Sequence, residues 1–248
     1  MNRMSPIRTP HHSLQMTYGF SLIEMAVVLV VLGLALGGLL APLSHQLETS
    51  ERKKAQSELA VIKDALIGHA IAEGRLPCPD TSGDGQENTQ VVSGDQVCVA
   101  AYGSLPYHAL GVGQKDPWHH PYAYSVSPEF ADDIESTTCG PAPGGVSFGL
   151  CATGTIEVLD ETGSQVAQNL PAIILTHGKV RFVGTSANQA RNISEARNFN
   201  PTQHASGTAN SKRQRKYSDV SGSEFDDLVD WVSPNILKAK MVSAGRLP

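Results

Sequence analysis

Gly19-Phe20-Ser21-Leu22-Ile23-Glu24 runs directly into an apolar stretch from Met25 to Leu43, and that junction decides how the rest of the chain is read. Between Glu24 and Glu48 there is no Asp, Glu, Lys or Arg, and His45 is the sole titratable side chain. About 20 consecutive apolar residues cross roughly 30 Å of hydrocarbon as one helix, with every backbone polar group satisfied internally. Residues 20–43 therefore read as a membrane span. A carboxylate just inside its start is out of place, because an ionised side chain in lipid is costly and marks function by default. Its position softens the cost: Glu24 falls in the first turn, near the interface and the positive end of the helix dipole.

What precedes the junction fixes the orientation. Residues 1–19 carry Arg3, Arg8, His11 and His12, with no acidic residue and no apolar core. A secretory signal would place its apolar region before the cut and lose it. Here the apolar region follows Gly19, so a cut after Gly19 leaves the span in the mature chain. Arg3 and Arg8 hold the leader in the cytoplasm and send the remainder across the inner membrane.

The junction resembles the processing signal of the type IV pilin and pseudopilin family: a Gly, then Phe, then Glu as fifth residue of the mature chain. Gly19, Phe20 and Glu24 stand at those three places. The resemblance implies cleavage between Gly19 and Phe20 by a prepilin peptidase, with methylation of the Phe20 amine. It also implies that Glu24 neutralises the Phe20 amine of a neighbouring subunit during assembly. Removing one partner of such a buried pair strands the other charge, at a cost of about 3–5 kcal/mol. The partners implied are the peptidase, other pilin or pseudopilin subunits, an inner-membrane assembly platform and the membrane itself.

Downstream of Pro42, which should kink the helix, the helical pattern becomes one-sided. Leu47, Ala55, Leu59, Ile62, Leu66, Ala70 and Ile71 recur at three- and four-residue spacings, while Glu48, Glu51, Arg52, Lys53 and Lys54 crowd the other side. Gly74 and Pro77 give the stop. One helix from Phe20 to Glu73 would be about 80 Å long. The remainder, Arg75 to Pro248, is rich in Gly, Pro, Ser and Thr. Strands are expected at Tyr122–Ser127, Gly154–Asp160, Ala172–Thr176 and Lys179–Val183, with a tight hairpin across His177-Gly178. Thr185–Asp219 reads as a long polar loop. Glu224–Val232 and Pro234–Met241 read as short helices, with Ser223 and Ser233 as caps.

The expected fold class is α+β: a long N-terminal transmembrane and amphipathic helix packed on a small antiparallel β-sheet head with long loops. It divides into a leader at 1–19, the membrane half of the helix at 20–43, its amphipathic half at 44–74 and a globular periplasmic head at 75–248. Gly74-Arg75-Leu76-Pro77-Cys78-Pro79, Tyr102-Gly103-Ser104-Leu105-Pro106 and Asp116-Pro117-Trp118 also resemble pilin-type heads of the type II secretion class.

Charge is polarised along the head. From Leu76 to Glu161 twelve acidic residues face one Lys, whereas from Arg191 to Tyr217 six basic residues face one Glu. Two solvated faces account for this; head-to-tail complementarity between copies is the sharper reading. Cys78, Cys98, Cys139 and Cys151 all follow the span, which fits two disulfides in an oxidising periplasm. Chain order favours Cys78 with Cys98 and Cys139 with Cys151, and the other two pairings stay open. With no C-x-x-C, and with His119-His120 lacking ligand spacing, zinc does not fit.

Three clusters bear on chemistry. Asp80-Thr81-Ser82-Gly83-Asp84-Gly85 puts oxygen ligands at positions 1, 3 and 5 and Gly at 6, as in a calcium loop. Val91 stands where the closing Glu belongs, so Glu87 would have to complete a set of Asp80, Ser82, Asp84 and Glu87. Calcium is the one cofactor the sequence leaves room for. Asp116-Pro117-Trp118 beside His119 and His120 reads as a turn over a buried indole, because no nucleophile motif, phosphate loop or carboxylate pair accompanies it. Lys212, Arg213, Arg215 and Lys216 form a basic run with one adjoining aromatic, Tyr217; it reads as a solvated loop, with a partner's acidic face or phospholipid headgroups as the sharper reading and nucleic acid disfavoured. The chain thus reads as a subunit acted on by enzymes rather than an enzyme, bound for a type II secretion pseudopilus or a type IV pilus. The alternative is a minor subunit whose head binds a ligand (DNA, a surface or a partner protein) through the basic run.

Overall fold

The computed structural model describes residues 19–92, 94–132, 144–159, 164–179, 210–213 and 227–248, the side chains of 36–45, 159 and 210–213 excepted. Two compact units divide the chain, Met1–Glu48 and Thr49–Pro248. One helix, α1 (Leu22–Glu73), contributes to both, within two residues of the bounds read from the sequence.

In the first unit α1 has no polar side. Leu22, Ile23, Val27, Val30 and Leu34 are all exposed. Among the described residues no helix is long and apolar enough to cross a membrane. The expected span at 20–43 takes in residues 36–43, whose side chains lie outside the described residues.

In the second unit the one-sided stripe does what its spacing requires. Ala55, Leu59, Ile62, Leu66 and Ala70 are buried in the larger of two cores. They pack there with Tyr122, Tyr124, Val126, Ala172, Ile174, Leu228 and Val232. These come from strands β4 (Ala123–Val126), β7 (Ala172–Thr176) and β9 (Leu228–Val232) and from the approach to β4. With β3 (Tyr102–Ser104) they form an antiparallel sheet ordered β3-β4-β7-β9. Because side chains alternate along a strand, Ile173 and Leu175 face the other way. They enter a second core with Ile156, Val158 and Leu170, against which Val229 and Trp231 pack. That core involves β5 (Ile156–Leu159) and β6 (Gln165–Leu170). The head therefore has three layers: helix, central sheet, second sheet.

Four expectations are corrected. First, the head is not purely antiparallel: β5 pairs antiparallel with β6 but parallel with β8 (Asn210–Arg213). Second, β8 falls inside Thr185–Asp219, so that segment is not all loop. Third, both edges of Ala172–Thr176 are occupied by β4 and β9, leaving no edge for the hairpin expected across His177-Gly178; residues 180–183 of its second strand lie outside the described residues. Fourth, Glu224–Val232 is not a helix where described, since Leu228–Val232 is strand. Leu228 and Val232 serve one core and Val229 and Trp231 the other, a period of two imposed by the open edge of β7. Ser223 lies outside the described residues.

A hairpin of β1 (Thr89–Val92) and β2 (Asp95–Cys98) lies in the chain between α1 and β3, and a short helix, α2 (Tyr107–Leu110), lies between β3 and β4. The last helix, α3 (Pro234–Ser243), has Pro234 in its first turn as expected, but Ser233 at its cap position makes no side-chain cap bond. Leu237 and Met241 of α3 close the larger core.

The C-terminal end of α1 is clamped. Gly74 takes φ +81°, and a Cβ there would lie 1.9 Å from the Gly145 carbonyl oxygen. The Gly74 N–H donates to the Ala70 carbonyl at 2.9 Å, and the Ser147 N–H donates to the Gly74 carbonyl at 3.1 Å. Arg246 donates to the Ala72 carbonyl at 3.2 Å, satisfying one of the acceptors that every helix leaves open at this end. Gly74→Ala should therefore cost at least about 1–3 kcal/mol from the backbone alone, read as a lower thermal midpoint of the full chain in detergent. An unchanged midpoint would contradict the clamp.

Candidate functional site

The start of α1 is built from four residues. Ser21 stands just before the helix, with Glu24 three residues on, the S-x-x-E spacing of a capping box. Both reciprocal bonds are present: the Glu24 N–H donates to Ser21 Oγ at 3.2 Å, and the Ser21 N–H donates to Glu24 Oε2 at 3.0 Å. The Met25 N–H donates to the Ser21 carbonyl at 3.2 Å, closing the first turn. Glu24 thus folds back toward Gly19 and Phe20 rather than out along the helix. Its other oxygen makes no hydrogen bond among the described residues, and Phe20 beside it is exposed. The structure joins Glu24 to Ser21, with Gly19 and Phe20 immediately before Ser21 in the chain. The signal for Ser21 in the sequence is the capping spacing Ser21-Leu22-Ile23-Glu24.

The expected cysteine framework is present in part. Cys78 and Cys98 are bonded, with Cα atoms 5.2 Å apart. Cys151 is disulfide-bonded as well, while Cys139 lies outside the described residues. The first bridge ties the β1–β2 hairpin to the chain leaving α1.

Asp80, Ser82 and Asp84 share one loop, but Glu87 does not join them. Asp80 is buried, and its two oxygens accept four protein donors. Ser82 N–H, Ser82 Oγ and Gly83 N–H bond to Oδ1 at 2.9, 3.0 and 2.6 Å, and Gly85 N–H bonds to Oδ2 at 2.7 Å. Asp84 accepts from the Gln86 N–H at 2.9 Å, and that bond and the Ser82 hydroxyl hold its carboxyl below its ordinary value. Glu87 turns to Arg75 instead, in a two-pronged pair at 2.8 Å on each side, and also accepts from the Cys78 N–H at 3.0 Å. Among the described residues no group of three or more His, Cys, Asp or Glu side chains is arranged to hold a metal ion. Sequence spacing could not show that Arg75 would take Glu87 away.

Asp116-Pro117-Trp118 forms the expected turn, but the Trp118 indole is half-buried rather than buried. Asp116 is buried and accepts from the Trp118 and His120 N–H groups at 3.0 and 2.8 Å, and from the Thr176 hydroxyl. His119 points the chain through a left-handed φ of 67°. His120 Nδ1 lies 2.8 Å from the Gly178 carbonyl, so both histidines serve the turn. Of the basic run, Lys212 and Arg213 fall on β8, at the edge of the second sheet among the described residues; Arg215 and Lys216 lie outside them.

Two further polar contacts hold α1 to the sheet. The Tyr122 hydroxyl donates to Glu58 at 2.6 Å, and burial together with the Glu58 carboxylate pushes its ionisation far up. Lys63 meets Asp230 on β9 at 2.7 Å. Glu58, Tyr122 and Lys115 also border a cavity of about 270 Å³ floored by Val61, Ile62 and Val112.

Against known families, residues 15–40 match the model described as the prokaryotic N-terminal methylation motif, the type IV pilin and pseudopilin signal. No curated protein and no solved structure gives a match.

Two outcomes follow from the Asp80–Glu87 geometry. Burial pushes the Glu87 carboxyl up, but the bonds from Arg75 and Cys78 and the Arg75 charge more than offset it, so its folded value lies below the ordinary 4.5. A depressed value means stability that is complete above pH 4.5 and lost as pH falls through the folded value. Acid titration of the thermal midpoint should fall more steeply below pH 4.5 for the natural chain than for Glu87→Gln; parallel curves would refute the pair. With the Asp80 oxygens already occupied, calcium or a chelator should leave the midpoint where it was, and a rise with calcium would mean that the loop rearranges to take the ion.

Proposed function

We propose that this chain, which carries the type IV pilin and pseudopilin signal, is a precursor cut between Gly19 and Phe20, methylated on the Phe20 amine and assembled into a secretion pseudopilus or type IV pilus. The observation behind the reading is the junction itself. The signal residues, the helix start and a carboxylate folded back toward the cut all occur within six residues. Before assembly the apolar stretch at 20–43 anchors the subunit in the inner membrane with residues 75–248 in the periplasm. Assembly transfers that stretch from lipid into a bundle of its own kind, where association comes from packing and polar pairing rather than from the hydrophobic effect alone. The Glu24 carboxylate of one subunit meets the Phe20 ammonium of its neighbour, so each new subunit removes a charge from lipid.

In this reading the chain performs no reaction; the peptidase reacts on it. The disulfide-bonded head suits an oxidising compartment, and the second bridge is assigned to Cys139 with Cys151. The size of the head supports a minor subunit position. The alternative, capture of a ligand through Lys212, Arg213, Arg215 and Lys216, has in its favour the edge position of β8, but assembly explains more residues.

Mass spectrometry of the mature protein tests the reading directly. The expected N-terminus is N-methylated Phe20, and an intact Met1, or a cut beyond Leu43, would overturn it. Glu24→Gln should be processed normally yet stay in the membrane fraction, since a neutral side chain cannot offset the neighbour's amine.

A further inference from the structure

We infer that the cavity bordered by α1 and residues 111–115 is a binding site for a free aliphatic amino acid of leucine's size, with Glu58 holding its ammonium, Lys115 its carboxylate and the apolar floor its side chain. This concerns the head alone and does not depend on the assembly reading. Val61 and Ile62 of α1, together with Val112, form the floor of a cavity of about 270 Å³, and Gly111 and Gly113 bring no side chain to fill it. A dry apolar cavity of about 150 Å³ already takes a benzene, so the space suits a branched aliphatic group. Ile62 is buried, but Val61 beside it is 58% exposed, an apolar side chain that the fold itself leaves uncovered.

The charges on the rim define the ligand. Lys115 is the sole Lys or Arg between Leu76 and Glu161, a stretch with twelve acids, yet it takes none of them. It is exposed and makes no hydrogen bond or ion pair among the described residues. Glu58 has one oxygen fixed and the other nearly free. The Tyr122 hydroxyl donates to Oε2 at 2.6 Å, and burial together with the Glu58 carboxylate keeps that phenol protonated. Oε1 has Lys54 at 3.8 Å, a side chain 66% exposed, and exposed pairs of this kind contribute little. An apolar anion would use Lys115 but set its charge beside Glu58, and an apolar cation would do the reverse. A zwitterion with an aliphatic side chain satisfies the acid, the base and the floor together, and bonds between ionised groups are about twice as strong as neutral ones.

Isothermal titration of the full chain in lipid nanodiscs tests this, with L-leucine, leucine amide, isocaproate and glycine as probes. Leucine should bind, and the amide and isocaproate, each lacking one charge, should bind about tenfold more weakly. Glycine, with nothing for the floor, should give no heat. Lys115→Met should weaken leucine about tenfold yet leave leucine amide unchanged, and Glu58→Gln should weaken leucine equally yet leave isocaproate unchanged, the coupling expected of direct contacts. If Glu58→Gln does not fold for want of its bond from Tyr122, Lys115→Met and Val61→Glu decide the matter, since both positions are exposed; Val61→Glu should abolish the leucine signal. No heat from leucine, equal affinity for leucine and both analogues, or leucine binding untouched by Lys115→Met would each overturn the inference. Self-association of the chain that Val61→Glu abolishes, with no heat from leucine, would make the cavity an interface between copies and overturn it equally.

Discussion

Within the head, everything is organised by the burial of one helical stripe on one sheet face. Ala55, Leu59, Ile62, Leu66 and Ala70 offer a narrow apolar seam, and the sheet meets it with Tyr122, Tyr124, Val126 and Ile174. The polar rim is arranged around that seam. Glu58 receives the Tyr122 hydroxyl and Lys63 reaches Asp230, so charges on the flanks of the stripe fix rotation and register while the apolar residues supply the driving force. Tyr124 goes deeper, its hydroxyl bonding to the Pro77 carbonyl, which fastens the chain leaving α1 to the centre of the sheet. The same helix, one turn after another, thus changes from a surface with no polar side to a surface with a single apolar one.

Glu24 shows a second kind of constraint, in which a local bond and a long-range role use the same side chain. As a capping residue it needs nothing beyond Ser21. As the sole acid before a long uncharged stretch it calls for more, and the free oxygen is where the two roles separate. Arg75 and Glu87 make a contrasting case: a two-pronged pair in which both carboxylate oxygens already have a partner within the loop after α1.

Much of this was legible in the chain because the signals were local. The bounds of α1 follow from uninterrupted periodicity and from Gly74, and Ala172–Thr176 from a run of apolar and β-branched residues bounded by Pro171 and Gly178. The junction at Gly19–Glu24 was legible for the same reason, as a fixed spacing within six residues. What failed depended on partners distant in sequence. Leu228, Val229 and Val232 have spacings that fit a helix as well as a strand, and only the vacant edge of β7 decides between them. The bond from Glu87 to Arg75, twelve residues earlier, is likewise set by the fold and not by the spacing of the loop. The strand at Asn210–Arg213 lies in a stretch with no apolar residue to announce it and owes its form to pairing with β5.

The seating of β9 has a consequence for how the head comes into being. Its neighbour β7 is buried along its whole length, yet one side of it is completed by a strand more than fifty residues later in the chain. During synthesis the helix, β4 and β7 are all made well before that strand exists. In the interval a strand apolar at four of its five positions has an unpaired edge, the feature that most readily recruits a wrong partner. A subunit whose business is to join others must first avoid joining them too soon, and keeping nascent copies apart until Leu228–Val232 has arrived is the demand this topology places on the cell.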